Sequence, residues 1–450
     1  MKRAFLGHTF GAVWALTAVF AIGAVCAIGA SGCGLSDDAD KHACQVQDDC
    51  LAGFTCLANQ CTPDATDGGM SVDDGSSPGG ADGGGDLKPV APSCTDHVQN
   101  GHETDVDCGG SCTPCAVGRS CTVTSDCAAG TCESQQCLAG RWASLADMPT
   151  PRLDLATVWG PDGRLYALGG ISQAAGGLDV VEAYNPTANS WTTLAPMANQ
   201  RYGFAAVTGS DGRIYAIGGA YQGTTSPFSD GISKTVEAYD PKTNQWTPVA
   251  SLGTSRYRAA AVAAGDGHIY VFGGFDYSVP RQSASAEVYD LASNKWSPLS
   301  FSMTTARSGH AAAVAADGHV FAFGGLDNQD NKIAAVESFL PGTIGWSTAP
   351  PMPTPRAWLA AARGADGRLY ALGGNSFNSG PDPKPSLTVA EAFSPSSNSW
   401  STVASMPTDR YGLAAVASPD GKIYALGGTR VGGFGSGTEL RTLEVFTPAP

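Results

Sequence analysis

The sequence predicts an all-β fold: a six-bladed β-propeller closed by an N-terminal strand and preceded by small disulfide-rich modules. Three observations predict it. Tryptophans recur at Trp142, Trp191, Trp246, Trp296, Trp346 and Trp400, 49 to 55 residues apart. Glycine doublets keep step at Gly169-Gly170, Gly218-Gly219, Gly273-Gly274, Gly324-Gly325, Gly373-Gly374 and Gly427-Gly428. All fourteen cysteines fall before residue 138, so whatever holds the repeats together is not covalent. A period near 50 residues is that of a blade-like unit stacked on its neighbours. The 58 glycines and a charged fraction of 15% favour short strands and tight turns, and no long window carries helical apolar spacing.

The first element is an export signal, residues 1–32. Lys2 and Arg3 precede an uncharged run from Gly11 to Ser31, and Ala30-Ser31-Gly32 lead into Cys33. That ending resembles a bacterial lipobox, although Ala30 stands where the family has Leu. The resemblance implies lipidation at Cys33 and a membrane partner through that anchor. With Gly34 after the cysteine it also implies the outer membrane or cell surface. A plain cleaved signal with secretion, or an uncleaved membrane anchor, is the alternative.

Residues 33–61 form a first Cys-rich module with Cys44, Cys50, Cys56 and Cys61, and residues 94–137 a second with Cys94, Cys108, Cys112, Cys115, Cys121, Cys127, Cys132 and Cys137. The stretch Asp49-Cys50-Leu51-Ala52-Gly53-Phe54-Thr55-Cys56 echoes Asp126-Cys127-Ala128-Ala129-Gly130-Thr131-Cys132, as a duplicated unit would. Segments this short bury little core, and disulfides at about 2–4 kcal/mol each substitute for it. All twelve cysteines are therefore expected to be paired in an oxidising compartment. Zinc at Cys112-x-x-Cys115 lacks a second such pair. Calcium on Asn100, Glu103, Asp105 and Asp107 competes with a polar turn held by Cys94 and Cys108, which is preferred; no metal and no cofactor are expected. The segment from Asn100 to Gly110 resembles a Cys-rich motif of surface proteins from myxobacteria and their relatives. Between the modules, residues 62–93 are mostly Gly, Asp, Ser and Pro, too polar to offset their ordering entropy, and read as a disordered linker.

Residues 138–450 hold the repeats. Each opens on an arginine: Arg152, Arg201, Arg256, Arg307, Arg356 and Arg410. An Asp-Gly turn and an apolar run lead to the glycine doublet, as in Asp162-Gly163-Arg164-Leu165-Tyr166-Ala167-Leu168. After the doublet come a Glu and an aromatic two places on, from Glu182/Tyr184 to Glu444/Phe446. Asp-Gly between apolar runs is a hairpin. Each unit thus supplies four strands, but the unit opened by Arg410 ends at Pro450 with three. Trp142 precedes the first arginine and belongs to no earlier unit. Its strand is expected to complete the last blade and remove the open edge.

This pattern of doublet and later Trp resembles the Kelch repeat, six times over about 300 residues. Strand direction places the long links after each doublet on one face, together with the arginines. That loop-bearing face is the expected binding surface. The arginine ring has two readings: Arg–Glu pairs that fasten adjacent blades, or guanidinium groups that meet a ligand. The candidate ligand contacts are Arg201, Arg256, Arg307, Arg410, Tyr221, Tyr277 and Phe434. Arg307-Ser308-Gly309-His310 is similar to strand starts of Kelch domains that capture acidic peptides. Tyr202, Tyr257, Trp358 and Tyr411 either add stacking surface or pack between blades. The partner is expected to be a protein or a glycan. A net charge of −15 argues against nucleic acid. The propeller of galactose oxidase has similar repeats, but its copper site needs a cysteine, and this ring has none. A sugar-directed enzyme, as among Kelch proteins that epimerise sialic acid, is the alternative to a non-catalytic binding module.

Overall fold

The computed structural model describes residues 54–57, 60–63, 99, 103–221, 231–276, 282–376, 386–430 and 439–449. The chain divides into two units, residues 1–86 and 87–450. In the first, Phe54–Leu57 pairs with Gln60–Pro63 in a hairpin that sets Cys56 opposite Cys61. The second unit repeats that register with Cys132 opposite Cys137, in the hairpin of Thr131–Glu133 and Gln136–Leu138, as the duplication requires.

Among the described residues of the second unit are six four-stranded antiparallel sheets, one per repeat. In the first blade, Ala156–Trp159 lies innermost, followed by Leu165–Leu168, Val181–Asn185 and Ser190–Thr193. Second strands such as Leu165–Leu168, Ile214–Ile217 and Leu369–Leu372 are buried at every position, which explains their unbroken apolar runs. Outer strands are exposed apart from the tryptophan, which leans on the third-strand aromatic at 4.6–5.3 Å between centroids, as in Phe339–Trp346 and Tyr184–Trp191. The sixth blade runs Ala414–Ala417, Ile423–Leu426, Leu443–Thr447 and then Arg141–Ser144, with Trp142 opposite Phe446. The N-terminal strand closes the ring.

Neighbouring blades are joined at two radii. At the rim, the indole nitrogen of Trp191 donates to Ala146 O, that of Trp246 to Ala195 O, and that of Trp142 to Ala404 O, each reaching the exit of the preceding blade. Nearer the centre, the second glycine of every doublet donates to the carbonyl of the next blade's arginine, from Gly170 to Arg201 (2.9 Å) around to Gly428 and Arg152 (2.9 Å). The first glycine sits at φ 52° in Gly169, and a Cβ there would lie 2.6 Å from the Arg201 carbonyl. Only glycine fits that seam.

The second Cys-rich module is docked on this ring. Its disulfides include Cys108–Cys115, Cys121–Cys132 and Cys127–Cys137, and Cys112 is bonded as well. Cys108 therefore does not pair with Cys94, as the polar-turn reading had it. The sulfurs of the zinc-spaced pair are in disulfides and offer no thiolate to a metal. Asp105 accepts from Val106 N and Ser120 N and pairs with Arg119, so its oxygens serve the turn rather than a calcium ion. Backbone hydrogen bonds from Val123 and Thr122 hold the Asp126 carboxyl down at about 2. Glu133 accepts Ser405 N at 3.0 Å, Arg141 Nε donates to Gly130 O at 2.7 Å, and Ala404 N donates to Ala139 O at 3.1 Å. These contacts seat the module on the exit of the fifth blade and the start of the closing strand.

Candidate functional site

The six repeat arginines are sealed inside the blades, each 0–2% exposed. Arg256 meets Glu287 at 3.1 Å, Arg410 meets Glu444 at 2.8 Å, and Arg152 meets Glu182 at 2.7 Å; Arg201 pairs with Glu237 and Arg307 with Glu337. Every pair lies within one blade. The other guanidinium nitrogen reaches two carbonyls: Arg256 Nη1 donates to Gly273 O at 2.7 Å and Ser285 O at 3.0 Å. The glutamate meanwhile receives the incoming linker, Glu287 accepting Gly253 N at 2.6 Å and Thr254 N at 3.2 Å. Arg201, Arg256, Arg307 and Arg410 thus each tie their own doublet, third strand and entering linker together, while Arg152 and Arg356 reach the second-strand carbonyls of Ala167 and Ala371 instead of the doublet. Burial pulls the Arg152 pKa down to about 10 against the pull of Glu182, which still leaves it charged at neutral pH. In this arrangement Arg201, Arg256, Arg307 and Arg410 present no head group to a ligand, and they fasten strands within blades rather than between them.

Tyr221 is 46% exposed on a short hairpin of the loop-bearing face, where Ala220–Tyr221 pairs with Gly231–Ile232. Tyr277 and Phe434 lie outside the described residues, as do Cys33, Cys44, Cys50 and Cys94. His310 is buried with its ring 5.6 Å from Phe272, and desolvation drives its pKa well below the ordinary value.

What lies at the centre of that face is built two residues after each arginine. Asp154, Gly203, Arg258, Gly309, Trp358 and Gly412 all have φ between 51° and 62°. Their backbones form a closed ring of hydrogen bonds. Gly203 N donates to Asp154 O (2.8 Å), Arg258 N to Gly203 O (2.6 Å) and Gly309 N to Arg258 O (2.9 Å). Trp358 N donates to Gly309 O (2.7 Å), Gly412 N to Trp358 O (2.9 Å) and Asp154 N to Gly412 O (2.8 Å). Glycine takes this backbone freely, whereas a bulky L-residue is strained by about 1–2 kcal/mol. Alternate blades nevertheless carry Asp154, Arg258 and Trp358.

Those three side chains meet above the ring. Arg258 donates from Nη2 to Asp154 Oδ2 at 2.6 Å and from Nε at 3.2 Å. Its guanidinium lies 4.8 Å from the Tyr257 ring and 5.1 Å from the Trp358 ring, a cation between two aromatic groups. Burial opposes its charge, but the Asp154 carboxylate outweighs that and raises the Arg258 pKa. Lys332 Nζ lies 5.8 Å from Trp358, and burial lowers its pKa. Tyr411 stands 5.8 Å from Trp358, and Tyr202 meets Tyr257 edge-on at 5.6 Å. With Leu153, Ile171 and Asn375 they line a funnel of about 470 Å³. The aromatic residues named from the sequence are here and do both jobs, packing between blades and facing the funnel. Asp154, Arg258, Lys332 and Asn375 were missed. The signal was the column two places after the arginines, where glycine alternates with three dissimilar residues.

Fold and site together define a six-bladed β-propeller with a funnel at the centre of its loop-bearing face. Its blades are Kelch repeats: residues 205–428 match the family described as the KLHDC2/KLHL20/DRC7 Kelch-repeats domain, and residues 160–198 match the Kelch motif. Kelch-like protein 26 of Danio rerio is 34% identical over 27% of this chain and 20% of its own length. Kelch-like protein 25 of Xenopus tropicalis is 28% identical over 49% of this chain and 36% of its own length. The chain thus spans about a third or less of these relatives. The solved structure of YjhT aligns with a TM-score of 0.57 over 66% of this chain and 95% of that one, at 16% identity, a likeness of fold.

Proposed function

We propose that this protein is an exported, membrane-anchored binding module that captures a protein partner on the loop-bearing face, with the funnel as its anchor point. One observation carries the reading. Arg258 and Trp358 hold backbone conformations that glycine adopts without strain, at φ 53° and 54°. Strain kept in a ring that closes with glycine at three of its six positions points to use of the side chains. An arginine between aromatic rings beside an indole is the kind of rigid, amphipathic cluster that anchors protein interfaces. Export and anchoring at Cys33 rest on the sequence of residues 1–33; the intact mass of the membrane-extracted protein should correspond to a chain that begins at an acylated Cys33.

The functional test is a peptide and glycan array probed with residues 33–450 and with two variants. Trp358→Gly relieves backbone strain while removing the ring, and Arg258→Gln removes the cation. Both should lose peptide binding at least about tenfold, the loss of roughly one anchor contact. The Trp358→Gly melting temperature should stay close to that of the parent, far from the effect of emptying a buried tryptophan site. Peptide binding untouched by both changes, or hits confined to glycans that are turned over, would overturn the proposal.

A further inference from the structure

The opposite end of the central channel has its own cavity, about 1090 Å³, which shares no lining residue with the funnel. Its wall is mostly small and apolar, including Ala263, Val314 and Val416, because the inner strands end there on small residues. Two strand ends depart from that rule. The last inner-strand residue is Thr208, Ala263, Val314 and Ala417 in four blades, but Trp159 in the first and Arg363 in the fifth.

Around this mouth, four of the six blades carry a matched charge pair on the first hairpin. Each of these hairpins pairs its cation with its own aspartate: Arg164 with Asp162 at 2.6 Å, Arg213 with Asp211 at 2.7 Å, Arg368 with Asp366 at 2.6 Å and Lys422 with Asp420 at 2.8 Å. His268 and His319 stand in the same position beside Asp266 and Asp317. Arg363 is exposed at the cavity wall, and among the described residues no carboxylate pairs with it. Asp420, which also lines the cavity, is already held by Lys422 and Ser418. An unmatched guanidinium at the edge of an apolar well, with an indole from another blade lining the same cavity, suits one kind of guest. The guanidinium takes a carboxylate in a two-point hydrogen bond, and the well takes an apolar body.

We propose that the hairpin-side mouth of the channel is a second binding site, for a small monocarboxylate with an apolar body, held by Arg363 and packed against Trp159. The test uses residues 33–450, with octanoate as the probe and octanol and sulfate as controls, read by calorimetry and by tryptophan fluorescence. Octanoate should bind and change a fluorescence component that Trp159→Phe abolishes, while octanol and sulfate bind at least about tenfold more weakly. Arg363→Gln should weaken octanoate by about tenfold or more, Arg363→Lys should recover part of it, and Trp358→Gly should leave it unchanged. Equal affinity of octanoate for Arg363→Gln, equal binding of octanol, or no octanoate binding in the millimolar range would overturn the proposal. Loss of peptide binding in the funnel variants is a separate result, because those residues touch only the other end.

Discussion

The repeat arginines show why a regular charged residue in a ring need not be a ligand contact. Arg307 is fully buried, and its Nη1 donates to Gly324 O at 3.1 Å and Ala335 O at 2.8 Å, while its other nitrogen holds Glu337. Glu337 has its pKa lowered even though burial works the other way, because Thr304 and Arg307 stabilise the charged form. Removing the arginine would leave a carboxylate without its counter-charge and the Gly324 carbonyl without its side-chain donor, while the Ala335 carbonyl would keep only Gly324 N. Arg307→Ala should therefore lower the unfolding free energy by about 3–5 kcal/mol, as for any buried pair broken from one side. Chemical denaturation measures this directly. A loss below about 1 kcal/mol, the scale of an exposed pair, would mean that the guanidinium is not sealed in solution. That Arg and Glu would pair was legible from their equal numbers. That each pair closes within a blade was not, because the repeat spacing alone is the same for a partner in the same blade or the next.

At the level of the strand, the closing element was the most legible feature and is the most testable. Its position followed from counting: five complete units, a sixth ending after three strands, and a tryptophan left over ahead of the first. Arg141–Ser144 fills that place, with Trp142 Nε1 on Ala404 O at 2.8 Å and the ring 5.1 Å from Phe446. A chain starting at Leu145 lacks this strand, whereas one starting at Leu138 keeps it. Half-burying a tryptophan is worth roughly 2–3 kcal/mol, and the exposed edge of Leu443–Thr447 adds to the loss. Against a typical net stability of about 5–15 kcal/mol, the Leu145 start should melt well below the Leu138 start and aggregate through its open edge. Equal melting temperatures for the two would show that the sixth blade does not need its fourth strand. The docked module was less legible. Cysteine spacing announces a stapled unit but contains nothing about Glu133 meeting Ser405, 272 residues away.

Across the whole molecule, the funnel was the part the sequence concealed. Repeats draw attention to what recurs, and the site is made of what does not. Asp154 and Arg258 are 104 residues apart and come from the first and third blades, with Trp358 supplied by the fifth. The intervening glycines, Gly203, Gly309 and Gly412, leave the centre clear of side chains, so that three from alternate blades can converge. At Gly203 a Cβ would strike the Tyr257 ring at 2.2 Å.

The backbone ring beneath them has an electrical consequence. Each residue in it donates its N–H to the preceding blade and accepts on its C=O from the next, so six hydrogen-bond dipoles follow one another around the channel axis. Dipoles arranged in a circle cancel in the plane, unlike those of a helix, which add along its axis. No N–H of the circle is left over for a guest, since every one is already given to a carbonyl. The floor of the funnel therefore favours neither sign of charge through its backbone. Attraction or repulsion at this mouth is decided by the side chains standing on that floor, and a change of one residue there rewrites the polarity of the whole opening.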